Sequence, residues 1–222
     1  MFEDRKDAGK KLALALKKYR NKGVLVLAIP RGGVEVGYQV ARYLRADLSL
    51  LICRKLPYPD NPEAGFGAVA EDGSTYIIQE AARWLPQQEI QRIIDNQIEE
   101  IQRRIEVLRE GKPLPEISGR TAVLIDDGLA MGSTMRSAIM LCRKKGAHKI
   151  VVAVPVSSTR VIKEIDEMVD ETVVLETPVF FRAVAQVYRN WYDVSDGEVL
   201  AIMRDWEKTN IEKKTNQSEG DM

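Results

Sequence analysis

The run from Thr121 to Thr134, TAVLIDDGLAMGST, constrains the fold of this chain more than any other stretch. Ala122 to Ile125 is a short apolar run of the kind shown by a parallel strand buried on both faces. Asp126 and Asp127 close it. Gly128, Leu129, Ala130, Met131, Gly132, Ser133 and Thr134 then lead into a helical pattern carried by Met135, Ile139, Leu141 and Cys142. A strand, a turn of small and hydroxyl residues, and a helix N-terminus together make an anion site. Unpaired N–H groups and the positive end of the helix dipole point at whatever sits there. The adjacent carboxylates repel that same anion and are better suited to accepting hydrogen bonds from sugar hydroxyls, or to steering Mg²⁺. A phosphate beside a diol describes a ribose 5-phosphate. The plainer alternative is an ordinary turn carrying two solvated aspartates.

At these residues the chain resembles the type I phosphoribosyltransferases, whose signature is a hydrophobic strand, two acidic residues and a small-residue loop usually ending A-T-G-x-T. The resemblance implies an α/β fold, a Rossmann-like parallel sheet flanked by helices, with a small hood and a mobile lid loop. It also implies 5-phosphoribosyl 1-diphosphate as substrate and Mg²⁺ as cofactor. Mg²⁺ would be bound through the substrate diphosphate, with Asp126 and Asp127 as further candidate ligands. One departure stands out: Met131 replaces the family's loop threonine, which removes a hydroxyl contact to the 5-phosphate and leaves backbone amides, Ser133 and Thr134 to hold it.

A second strand–loop–helix precedes this one. Val24 to Ile29 is a nearly continuous apolar run, followed by Pro30-Arg31-Gly32-Gly33 and a helical pattern through Leu44. Glycines let backbone amides approach an anion closely, and Arg31 adds positive charge. The segment resembles the family's pyrophosphate loop, where an unusual peptide geometry is common. The alternative is a tight turn with a surface arginine. A third apolar run, Leu48 to Cys53, ends in Arg54-Lys55, where the family often carries a basic residue reaching the diphosphate. Lys55 is the first choice for that role and Arg54 the second; a charged pair closing a strand is the equal alternative.

Leu56 to Ser74 is rich in glycine and proline, which excludes a helix, and a structureless loop of that length usually has a function. Resembling enzymes place a lid here that excludes water from the reacting centre. Tyr58, Glu63, Phe66 and Glu71 are the candidate lid residues. A hairpin pairing Ala68–Ala70 with Thr75–Ile78 explains the second half equally well. Pro86 to Glu110 reads as one long amphipathic helix, with Ile94, Ile98, Ile101, Ile105 and Leu108 at spacings of four and three. Packing on the core is the favoured reading of that stripe; contact with a second subunit, in a homodimer, or with the lid is the other.

Glu3 to Tyr19 reads as an opening helix, Lys149 to Val156 and Thr172 to Leu175 as further buried strands, and Ser157-Ser158-Thr159 as a helix cap. Near the C-terminus, the resemblance places base-side contacts on the segment holding Phe180 and Phe181, whose rings otherwise read as core. Asp196 is the expected N-cap of a helix over Glu198–Trp206. The domain is expected to span residues 1–206, with 207–222 a polar, disordered tail.

Composition sets the remaining bounds. With 222 residues there is room for one good-sized core, and a net charge of zero offers no global field to attract nucleic acid or an anionic membrane. No apolar run reaches membrane length, and MFEDRKDAGK lacks a signal peptide's apolar region. Cys53 and Cys142 read as packed thiols, and the single histidine, His148, argues against a His/Cys metal cluster. A cytoplasmic location follows as the expectation.

The expected reaction is Mg²⁺-dependent transfer of phosphoribose to a nucleobase or other nitrogenous acceptor, with release of pyrophosphate. In 6-oxopurine enzymes the loop carries a further acidic residue, two before its second glycine; that position is Ala130, which disfavours hypoxanthine and guanine. Two other classes remain: a regulator that binds the phosphoribosyl ligand without catalysis, and a flavodoxin-like or phosphatase-like protein using the aspartates for Mg²⁺.

Overall fold

The computed structural model describes residues 1–220, with side chains described through residue 209. Asp4 caps helix α1 (Arg5–Ala15) by accepting from the Asp7 amide at 2.7 Å. Strand β1 (Leu25–Ala28) leads to α2 (Gly32–Leu44), then β2 (Asp47–Leu50), β3 (Cys53–Tyr58), β4 (Asn61–Ala70) and β5 (Thr75–Ile77). A short α3 (Gln79–Ala82) and the long α4 (Gln87–Arg109) precede β6 (Thr121–Ile125) and α5 (Ser133–Lys144). The chain continues through β7 (Lys149–Val156), α6 (Thr159–Asp166), β8 (Glu171–Glu176) and α7 (Asp196–Gly220).

Five strands form a parallel sheet in the order β2-β1-β6-β7-β8. The apolar runs of the sequence are its central strands, and β1 is buried at every position. Side chains of alternating parity fill two layers. Val26, Ala28, Val123 and Ile125 join the cluster beneath α2 and α4, while Leu25, Leu27, Ala122 and Leu124 join that beneath α5. The β1–β6 register pairs Leu25 with Ala122 and Ala28 with Ile125, so the two strands end level. That register sets the loop after β1 directly beside the loop after β6, outside the carboxyl ends of the strands, where open α/β sheets bind ligands.

The Leu48–Cys53 run does not form one strand. The parallel strand stops at Leu50, and Cys53 opens a separate three-stranded antiparallel sheet, β3-β4-β5. The segment expected as a lid loop is therefore mostly paired. Val69 faces Thr75 and Gly67 faces Ile77, which bears out the hairpin reading of its second half. The glycines counted as loop signals permit close strand approach instead: a Cβ on Gly67 would fall on the Tyr76 carbonyl, and one on Gly65 would lie 2.5 Å from Lys55 Cγ.

Helix α4 packs its stripe on the core, with Ile101, Ile105 and Leu108 buried and Ile94 and Ile98 partly so. Helix α7 is capped by Ser195 rather than Asp196. Ser195 Oγ accepts from the Glu198 amide at 3.2 Å, and Glu198 returns a carboxylate to the Ser195 amide at 2.8 Å, a capping box. The backbone of α7 runs on to Gly220. Residues 221 and 222 lie outside the described residues.

Candidate active site

The loops after β1 and β6 touch. The peptide between Pro30 and Arg31 is cis, and Gly32 and Gly33 open α2 against the acidic pair. A Cβ on Gly32 would fall on the Asp127 carboxylate, and one on Gly33 would lie 2.9 Å from Asp126 Cα. Both positions therefore require glycine for contact rather than for turn geometry. Arg31 is the residue before α2; its guanidinium faces Asp196 Oδ1 at 3.6 Å.

Asp126 and Asp127 are half-buried at the end of β6, and Asp126 Oδ1 accepts from the Asp127 amide at 2.8 Å. Burial, reinforced by the charge of Asp127, pushes the Asp126 carboxyl well above the usual aspartate range. Burial also raises Asp127, opposed by Arg5. Arg5 escaped the sequence reading. It is 3% exposed, donates Nε–H to Asp127 Oδ2 at 2.8 Å and NH1 to the Tyr192 carbonyl at 2.9 Å, and stacks 3.9 Å from the Trp191 ring centroid. Tyr188 adds a hydrogen bond from its hydroxyl to the Asp127 carbonyl at 2.7 Å. The segment around residues 187–192 thus sits over the acidic pair as a hood, and Phe2 pairs with it through Phe2 N–H to Val187 O at 2.7 Å.

The loop after β6 leaves the start of α5 open. Gly132 adopts φ 73° and no side chain caps α5, so the first N–H groups of that helix remain available to a ligand. Gly128, Leu129, Ala130, Met131, Gly132, Ser133 and Thr134 all line one cavity of about 320 Å³, together with Lys55 and Glu63. The loop is braced from behind. Leu129 N–H donates to Val156 O at 2.9 Å, and buried Ser157 donates its hydroxyl to Leu129 O at 3.1 Å. Buried Arg136 holds the Met131 carbonyl at 2.6 Å while paired to Glu164. Ser158 caps α6 as expected, accepting from Val161 at 3.3 Å.

Other candidates separate. Strand alternation sends Arg54 and Lys55 to opposite faces of β3. Lys55 enters the cavity, where its Nζ donates to the Glu63 carbonyl at 2.6 Å. Arg54 turns to α4 and donates to Gln97 at 3.1 Å. Neither ends a parallel strand, since both belong to the antiparallel sheet. Of the lid candidates, Phe66 is core, 0% exposed, and Glu71 is locked in a buried pair with Arg109. Tyr58 donates to the Ala81 carbonyl at 2.8 Å. Phe180 is 82% exposed, whereas Phe181 packs beside Phe2, Val187 and Tyr188.

Among the described residues, no group of three or more His, Cys, Asp or Glu could hold a metal ion on its own. The oxygen-only donors of the acidic pair, with Asp127 Oδ2 already engaged by Arg5, fit a Mg²⁺ ion that takes most of its ligands from substrate oxygens. No helix among the described residues is long and apolar enough to cross a membrane.

A family model described as phosphoribosyl transferase domain matches residues 3–189. Two Mycobacterium tuberculosis proteins, each named provisionally as a phosphoribosyl transferase, are 41% identical over 205 residues, covering 91% of this chain and 46% of theirs. The chain thus spans about half the length of these curated relatives. The crystal structure of TT1426 from Thermus thermophilus matches with TM-score 0.78 and 36% identity, over 93% of this chain and 99% of that one. The AQ2163 protein of Aquifex aeolicus, at TM-score 0.50 and 17% identity over 77% of this chain and 73% of its own, shares the fold.

Proposed function

The chain belongs to the phosphoribosyl transferase domain family, and from that premise we propose that it transfers phosphoribose from 5-phosphoribosyl 1-diphosphate to a nitrogenous acceptor and releases pyrophosphate. The observation carrying this reading is the cavity in which every residue from Gly128 to Thr134 meets Lys55. A 5-phosphate there would face the N-terminus of α5, and its ribose would face Asp126 and Asp127. The Pro30–Gly33 loop touches the acidic pair from the other side, with Arg31 and the N-terminus of α2 available to the diphosphate.

As the glycosidic bond breaks, positive charge grows on the ribose ring beside the carboxylates, and negative charge grows on the diphosphate beside Arg31 and Lys55. Stabilising both is electrostatic work done by groups already in place. When bound at the acidic pair and the diphosphate, Mg²⁺ would supply further neutralisation of the leaving group. The β3–β4 hairpin, which brings Glu63 and Lys55 to the cavity, excludes water as the lid. Exposed Ala130 offers no acid to a purine ring, which disfavours a 6-oxopurine acceptor. A second reading, binding without transfer, is favoured by Met131, 51% exposed in the loop with no hydroxyl to offer a phosphate.

Calorimetric titration with 5-phosphoribosyl 1-diphosphate, with and without Mg²⁺, tests the site. Saturable, Mg²⁺-dependent binding is expected, followed by pyrophosphate release with one member of an acceptor panel. Absence of binding in both conditions overturns the proposal; binding with no acceptor consumed turns it to the second reading.

A further inference from the structure

Asp196 has one carboxylate oxygen, Oδ1, that is buried and lacks a hydrogen-bond partner. Such atoms are uncommon and call for an explanation. Its position at the start of α7 invites a capping role, but Ser195 and Glu198 already perform it. What the orphaned oxygen faces is Arg31 NH1, at 3.6 Å, with side chains 39% and 32% exposed for Arg31 and Asp196. The separation is that of an ion pair without a formed hydrogen bond. Arg31 directly precedes Gly32, whose backbone lies on Asp127.

We propose that Asp196 is a clasp for Arg31, holding the guanidinium at the mouth of the Pro30–Gly33 loop until a diphosphate displaces it; this rests on the functional reading above. A guanidinium gains more from two charged phosphate oxygens, hydrogen-bonded in parallel, than from a carboxylate at 3.6 Å. The anion must nevertheless compete with Asp196, and the same competition favours departure of pyrophosphate after transfer. Asp196 is in this sense a positioning residue that acts through Arg31 and sets how tightly the leaving group is retained.

The test is a gain of affinity, which damage to the fold does not imitate. Mg²⁺-pyrophosphate and 5-phosphoribosyl 1-diphosphate are titrated by calorimetry into the wild type, Asp196→Asn, Arg31→Gln and the double variant, with Asp196→Ser as a second replacement and thermal melts to verify folding. Asp196→Asn is expected to bind pyrophosphate about two- to fivefold more tightly, the range for a partly exposed ion pair. The gain should vanish in the Arg31→Gln background. Equal or weaker binding by both Asp196 variants overturns the clasp, as does a gain that persists undiminished without Arg31. Failure of the wild type to bind either ligand overturns the functional reading and the clasp with it.

Discussion

Arg5 and Asp127, 122 residues apart in the chain, are joined Nε to Oδ2 at 2.8 Å, and each depends on the other for its charge balance. The second acidic residue of the pair is therefore not an independent loop carboxylate. Asp127→Ala leaves a guanidinium that is 3% exposed without its counter-ion. A loss on the order of 3 kcal/mol in chemical denaturation is expected, because breaking a buried pair strands a charge. Asp126→Asn, which leaves the Arg5–Asp127 pair intact, should keep the fold and lose binding of 5-phosphoribosyl 1-diphosphate. Equal stability of the two variants would show that Arg5 finds compensation elsewhere.

Glu71 and Arg109 make a second buried pair, with side chains 8% and 6% exposed, and Arg109 also donates to the Leu50 carbonyl at 2.9 Å. This pair ties the end of β2 and the β4–β5 turn to the end of α4. Glu71→Leu should cost about 3–5 kcal/mol of stability. Substrate affinity measured well below the melting temperature should change little, because Glu71 does not line the cavity. A selective loss of affinity would restore Glu71 to the lid.

Met131 projects into solvent from a loop whose backbone Arg136 holds in place. Met131→Thr should leave the stability within about 0.5 kcal/mol of the wild type, as surface substitutions usually do. It should preserve or improve affinity for ribose 5-phosphate by adding a hydroxyl donor. Clearly weaker binding would show that the thioether itself contacts the ligand.

Glu100 is held to about 2 by hydrogen bonds from Arg103 and Arg104. A carboxyl lowered in the folded state stabilises the protein above its unfolded value and loses that contribution as the pH falls through its folded value. Glu100→Gln should thus cost below about 1 kcal/mol at neutral pH, since its partners are solvent-screened neighbours on one helix. The gap from wild type should close between pH 4.5 and about 2. Denaturant melts across that range check the sign; a gap that widens in acid would contradict it.

The parts of the fold legible in the sequence are those encoded locally. Strands buried on both faces show as unbroken apolar runs, and the two loops that touch at the acidic pair stand out through proline, arginine and glycine in one and through acidic, glycine and hydroxyl residues in the other. The β3–β4–β5 sheet is hidden because Gly65 and Gly67 signal flexibility in one dimension and close packing in three. Arg5 is hidden for another reason. Its partners, Asp127, Trp191 and Tyr192, are all more than a hundred residues away, and nothing in a run of charged helix residues marks the one that turns inward. Asp196 looks like a cap because residue type alone does not separate it from Ser195, and only the return bond from Glu198 does.

The pairing of Phe2 with Val187, and of Arg5 with Tyr192, bears on how the chain is made. During synthesis Phe2 and Arg5 leave the ribosome long before the hood they pair with. Phe2, 2% exposed in the finished protein, and Arg5 must wait as unsatisfied surface while the sheet assembles behind them. The acidic pair acquires its cover only when the last strand and the segment after it have emerged. A nascent chain halted short of residue 187 would present a sheet and two open loops, with the acidic pair uncovered.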